Sequence, residues 1–87
     1  MIIKTKYEVG QHIWIVYEKK GEVGVYDDYI SSIDWEDYLY YMTKETCEEL
    51  KEDEIILYDD LTKLAERIKE IMEGIKKKVL EVNINVY

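Results

Sequence analysis

Apolar positions repeat with two different periods along this chain. Up to Tyr58 they come mainly in short, β-branched and aromatic runs. After Asp60 they recur at three- and four-residue steps, and after Leu80 they alternate again. His12–Glu18 is the first well-marked run: Ile13, Ile15 and Tyr17 share one face, and His12, Trp14 and Val16 the other. Both faces are largely apolar, which predicts a strand covered on both sides. Val9-Gly10 leads into it, and Ile2 and Ile3 suggest a short edge strand within Met1–Lys6. Lys19-Lys20-Gly21-Glu22 reads as a hairpin turn, Gly21 being free to take positive φ. A second strand follows from Val23 through Tyr26 and resumes after Asp27-Asp28 as Tyr29–Ile33.

Asp34–Asp37 predicts an acidic turn, and Tyr38–Thr43 a third strand. Two periods compete between 38 and 50. Leu39, Met42, Thr46, Cys47 and Leu50 also fit a helix, but three tyrosines favour a strand over 38–43, with a loop or one helical turn over 45–53. Ile55–Tyr58 reads as a short buried strand. Asp59 or Asp60 then caps a helix over about 60–76, with Leu61, Leu64, Ala65, Ile68, Ile71, Met72 and Ile75 on one stripe. Gly74 marks its end or a weak point near it, costing about 1 kcal/mol if interior, and Lys76, Lys77 and Lys78 suit the negative pole of its dipole. Leu80, Val82, Ile84 and Val86 alternate with polar residues, which predicts a final strand over about 79–87. Its segment 80–86 can join the sheet or pair across a two-fold axis to give a homodimer. The expected fold is α+β and a single domain over 1–87: a bent antiparallel sheet over about 6–58, one amphipathic helix, and a final edge strand.

Charge changes the picture. The chain has 87 residues and a net charge of −8. Thirteen of its twenty carboxylates fall between Asp27 and Asp60, where only Lys44 and Lys51 oppose them. The segments before and after are slightly basic. Such a field repels nucleic acid and attracts basic surfaces. Six tyrosines and Trp35 are interleaved with these acids. Amphipathic rings among carboxylates suit a protein-binding surface. The residues expected to form it are Asp34, Trp35, Glu36, Asp37, Tyr38, Tyr40, Tyr41, Glu45, Glu48, Glu49, Glu52 and Asp53.

Other chemistry has less support. Cys47 and His12 are the sole thiol and imidazole, and no spacing argues for a nucleophile–base pair. Cys47 has no disulfide partner within the chain, which fits a reducing compartment. No glycine lies between Gly24 and Gly74, so the acidic stretch lacks the tight turn of a calcium loop. No cofactor or metal is expected, and no enzymatic activity. No run approaches the roughly 18 apolar residues of a membrane span, which with the lone thiol points to the cytoplasm.

Lys6-Tyr7-Glu8-Val9-Gly10, Ile13–Glu18 and Gly21–Tyr26 resemble the opening of small SH3-like barrels of the Tudor and KOW kind. Glu49-Leu50-Lys51-Glu52-Asp53-Glu54-Ile55-Ile56-Leu57 is similar to the short turn and last strand that close them. A helix directly after that strand is similar to small bacterial and phage proteins of this shape. The resemblance covers roughly residues 6–75, and it implies an architecture more than an activity. In Tudor relatives, rings and acids together form a cage for methylated lysine. In composition the chain also looks like phage-encoded inhibitors of bacterial defence, such as anti-CRISPR proteins. That likeness implies carboxylates on a rigid sheet imitating phosphates in a partner's basic nucleic-acid channel. The competing expectation is an SH3-like adaptor or structural module whose acidity only keeps it soluble.

Overall fold

The computed structural model describes residues 4–85, with side chains as far as 81. Five antiparallel strands and one helix make an α+β fold: β1 (His12–Lys19), β2 (Glu22–Trp35), β3 (Leu39–Thr43), β4 (Glu49–Lys51), β5 (Ile56–Leu57) and α1 (Leu61–Asn85). The strand order is β4-β3-β2-β1-β5, and the sheet is not closed.

Chain connectivity forces this sheet to curl. β4 and β5 sit on opposite edges, about 19 Å apart if the sheet were flat. Yet only Glu52–Ile55 separates them, and Glu52–Glu54 of that link is a 3-10 turn. Such a link spans at most about 13 Å. The two edges must therefore approach each other around a concave side. Tyr7, Ile13, Ile15, Ile30, Tyr41 and Ile55 fill that side as the core, with Tyr26, Ile33, Leu39, Leu50 and Leu57 packed around them.

β2 is continuous through Asp27-Asp28, where the sequence suggests a break. Both acids have partners on opposite faces. Asp27 meets His12 on the convex side at 2.7 Å, and Asp28 turns inward opposite Ile13. A bulge at Ser31 then resets the alternation. Ile30 and Ile33, three residues apart, can both face the core because of it, and it bends the strand.

Lys19 pairs with Glu22, so Lys20-Gly21 is a two-residue turn. Both residues have positive φ, 53° and 80°, as a type I′ turn requires. A lysine there carries a strain of about 1 kcal/mol. Lys20→Asn is expected to stabilise the protein by about 0.5–1 kcal/mol, read as a higher urea midpoint at unchanged slope.

Both sheet edges are guarded. Glu54 Oε1 accepts the Lys51 N–H at 2.9 Å, and Lys63 Nζ donates to the Ile55 carbonyl. Asp60 caps α1, its Oδ1 accepting the Lys63 N–H at 3.2 Å. Arg67 fastens the second turn to the Asp53 carbonyl at 3.2 Å. The helix packs against β1 and β2. Its sheet-facing apolar residues, Leu64, Ile68, Ile71 and Ile75, are only half-buried.

Several expectations need correction. The final strand over 79–87 is helix as far as Asn85. Gly74 does not end α1, because its φ is not positive and the lysines and Leu80 beyond it are good helix formers. With both edges guarded, a strand there would also have no ready partner, and a homodimer through strand 80–86 falls with it. The helix of about 60–76 is thus 25 residues long. In the acidic middle, Glu49–Lys51 forms an edge strand, and the helical turn is confined to Glu52–Glu54. The strand suggested at Ile2 and Ile3 lies outside the described residues, while Lys4–Lys6 are not in a strand.

Candidate functional site on the convex face

The register of β2, β3 and β4 sorts the acidic stretch into two sides. Ile33, Tyr41 and Leu50 align across the three strands and face the core. Asp34, Tyr40 and Lys51 align on the other side, and Ser32, Met42 and Glu49 form the next row. Tyr38, from the turn between β2 and β3, joins this convex face. Its hydroxyl donates to Glu49 Oε1 at 3.3 Å, its ring lies 6.0 Å from that of Tyr40, and Lys51 Nζ sits 5.1 Å over it.

The field of the face shows in its phenols. The Glu49 charge raises the Tyr38 pKa above its ordinary 10.0, helped by partial burial, the Glu49 hydrogen bond and Glu36. Tyr40 is also raised, first by partial burial, then by Asp34, Glu36 and Glu49. Three carboxylates from two strands and a turn thus converge on two rings. Among the described residues the close acid–base contacts are His12–Asp27 and Arg67–Glu70, so none of these three carboxylates is ion-paired. Glu49→Gln is expected to bring Tyr38 back toward 10.0. Phenolate absorbance during an alkaline titration reads the shift, and an unmoved profile would contradict the proximity.

The expected residues divide accordingly. Asp34, Glu36, Tyr38, Tyr40 and Glu49 come together. Asp37, Glu45, Glu48 and Asp53 are exposed in the connecting segments, and Asp53 lies toward α1, where Arg67 donates to its carbonyl. Trp35 is 58% exposed but pairs with Leu39 in the register of Ile33, toward the concave side. Tyr41 is fully buried. Its ring meets Tyr7 edge-on at 5.7 Å, and its hydroxyl donates to the half-buried Glu52 at 2.9 Å. Tyr41 and Glu52 are therefore a structural pair and not part of the surface. Burial, followed by the Glu52 hydrogen bond, raises the Tyr41 pKa.

Two constellations were not anticipated. Asp28 is 1% exposed and accepts four hydrogen bonds. Three come from the β3–β4 loop, from Glu45 N (3.0 Å), Thr46 N (3.1 Å) and Thr46 Oγ1 (2.9 Å); the fourth comes from Tyr29 N at 2.7 Å. Burial pushes its pKa up, but these bonds outweigh burial and hold it below the ordinary 3.8. The second is a stack of four rings on β1, β2 and β5. His12 lies between Tyr29 (4.5 Å) and Tyr58 (3.8 Å), and Tyr58 lies on Trp14 (4.6 Å). Trp14 Nε1 also donates to the Tyr58 carbonyl at 2.7 Å. Trp14 is thus a half-buried member of this stack, outside the main core. The pairing His12↔Tyr29 could have been found only with the strand register in hand.

Among the described residues, no group of three or more His, Cys, Asp or Glu side chains could hold a metal ion, and no helix is long and apolar enough to cross a membrane. No protein family, curated protein or solved structure matches the chain.

Proposed function

We propose that this is a non-enzymatic binding protein whose convex β2–β4 face docks on a basic surface of a protein partner. In its most concrete form the partner surface is one that otherwise holds nucleic acid, and the protein is an inhibitor of the phage anti-defence kind. One observation carries this reading: Asp34, Glu36 and Glu49 converge on Tyr38 and Tyr40 without ion-pair partners among the described residues. Two strands and the tight turn after β2 hold these charges, so binding requires little ordering of the backbone. Carboxylates in this arrangement would displace the counterions that phosphates displace, making affinity steeply salt-dependent.

A second reading, an interaction adaptor, draws on the exposed rings of Tyr38 (41%) and Trp35 (58%). Salt discriminates the two. Affinity that falls steeply with salt, together with competition by DNA for the partner, supports the charged face. Affinity that ignores salt but is lost in Tyr38→Ala supports the adaptor.

A further inference from the structure

Helix α1 carries a second surface, separate from the acidic face and independent of the reading above. Leu61, Ala65, Ile68, Met72, Ile75 and Val79 follow one another at alternating steps of four and three. That is the spacing of a coiled-coil seam. The sheet covers it only in part: Ile68 and Ile75 are half-buried, while Leu61 is 63%, Met72 57% and Val79 53% exposed. On one flank of the seam, Leu64 and Ile71 are half-buried toward the sheet. On the other flank stand Lys69 and Lys76. Between helix and hairpin lies an open apolar trough, floored by Ile68, Met72 and Ile75, walled by Val23, Val25 and Glu22 of β2, and lined also by Lys76 of the same helix. It continues along the helix toward Lys69.

The geometry points to a second copy of this chain as the occupant, with the two α1 helices pairing in parallel about a two-fold axis. Charge selects this arrangement. In a parallel pair, the lysine flank of each helix faces the sheet flank of the other. Lys69 and Lys76 of the partner subunit would then meet the Glu22 wall of the trough. In an antiparallel pair, the lysine flanks would face each other and repel. The seam is thus self-complementary in one orientation only. A dimer built this way also presents two copies of the β2–β4 face.

Light scattering with size-exclusion chromatography reads the mass directly. A particle of twice the 10.5 kDa chain at micromolar concentration is expected; a monomer there overturns the proposal. Met72→Glu should give a monomer with unchanged helical circular dichroism, because Met72 is exposed within the single chain. A Met72→Glu dimer would also overturn it. Glu22→Lys should weaken the dimer about tenfold or more, and adding Lys76→Glu should restore it; no loss, or no rescue, contradicts the charge match. Orientation is read with Val79→Cys in a Cys47→Ser background. Parallel helices bring the two thiols within disulfide range and give a covalent dimer on mild oxidation. A non-covalent dimer that fails to cross-link would exclude the parallel arrangement.

Discussion

Asp28→Ala is expected to destabilise the protein by about 3 kcal/mol, much of the margin a domain of this size has. The carboxylate is buried and joins the middle of β2 to the β3–β4 loop through Glu45 and Thr46. Truncation leaves those donors without their acceptor and opens a hole opposite Ile13. Asp28→Asn keeps one carbonyl acceptor and should fall between the two. Urea denaturation measures the difference, and a loss under about 0.5 kcal/mol would contradict the assigned role. The pH dependence has a definite sign. The folded pKa lies below the ordinary 3.8, so the carboxylate's contribution is fully present above that value. It is lost as pH falls below 3.8 through the folded pKa. Wild type and Asp28→Ala should therefore converge in stability in acid and separate above pH 3.8.

Reversing the convex face is expected to have the largest effect on binding. Asp34→Lys, Glu36→Lys and Glu49→Lys together would set three cations against a basic partner. Like-charge contacts of this kind cost several kcal/mol, about 100-fold or more in affinity. All three side chains are exposed, so the triple variant should keep its far-ultraviolet circular dichroism and its melting transition. Tyr38→Ala should cost less, about 1–2 kcal/mol, as an anchor ring rather than a charge. Titration calorimetry at two salt concentrations separates the effects. The wild type should show a steep salt dependence, and the triple variant little binding at either concentration.

The parts of the fold carried by local pattern were legible in the sequence. The hairpin around Gly21, the strand His12–Glu18, a strand over Tyr38–Thr43 and a helix cap at Asp59 or Asp60 all follow from periodicity and turn chemistry. What depended on distant partners was not. Asp27-Asp28 resembles a strand break because two adjacent acids disfavour a strand. Only the fold supplies His12 to one and the β3–β4 loop to the other. Tyr41 looks like its neighbours Tyr38 and Tyr40, and register alone sends it to the core. Alternation from Leu80 onward suggests a strand, but a strand needs an edge to pair with, whereas a helix continues on its own hydrogen bonds. The acidic face was legible as a composition and illegible as a surface. Which acids share a side depends on the bulge at Ser31, and no residue type announces that bulge.

Under the proposed function, position on the convex face, rather than bulk acidity, makes the binding site. Two variants of equal net charge test it against bacterial lysate: Asp34→Lys/Glu36→Lys/Glu49→Lys on the face, and Glu66→Lys/Glu70→Lys/Glu81→Lys on the exposed side of α1. Each is immobilised beside the wild type, and bound proteins are eluted first with DNA and then with salt. Wild type and the helix variant are expected to retain the same basic protein, released by DNA, and the face variant to retain none of it. Equal retention by both variants, or equal loss from both, would contradict it.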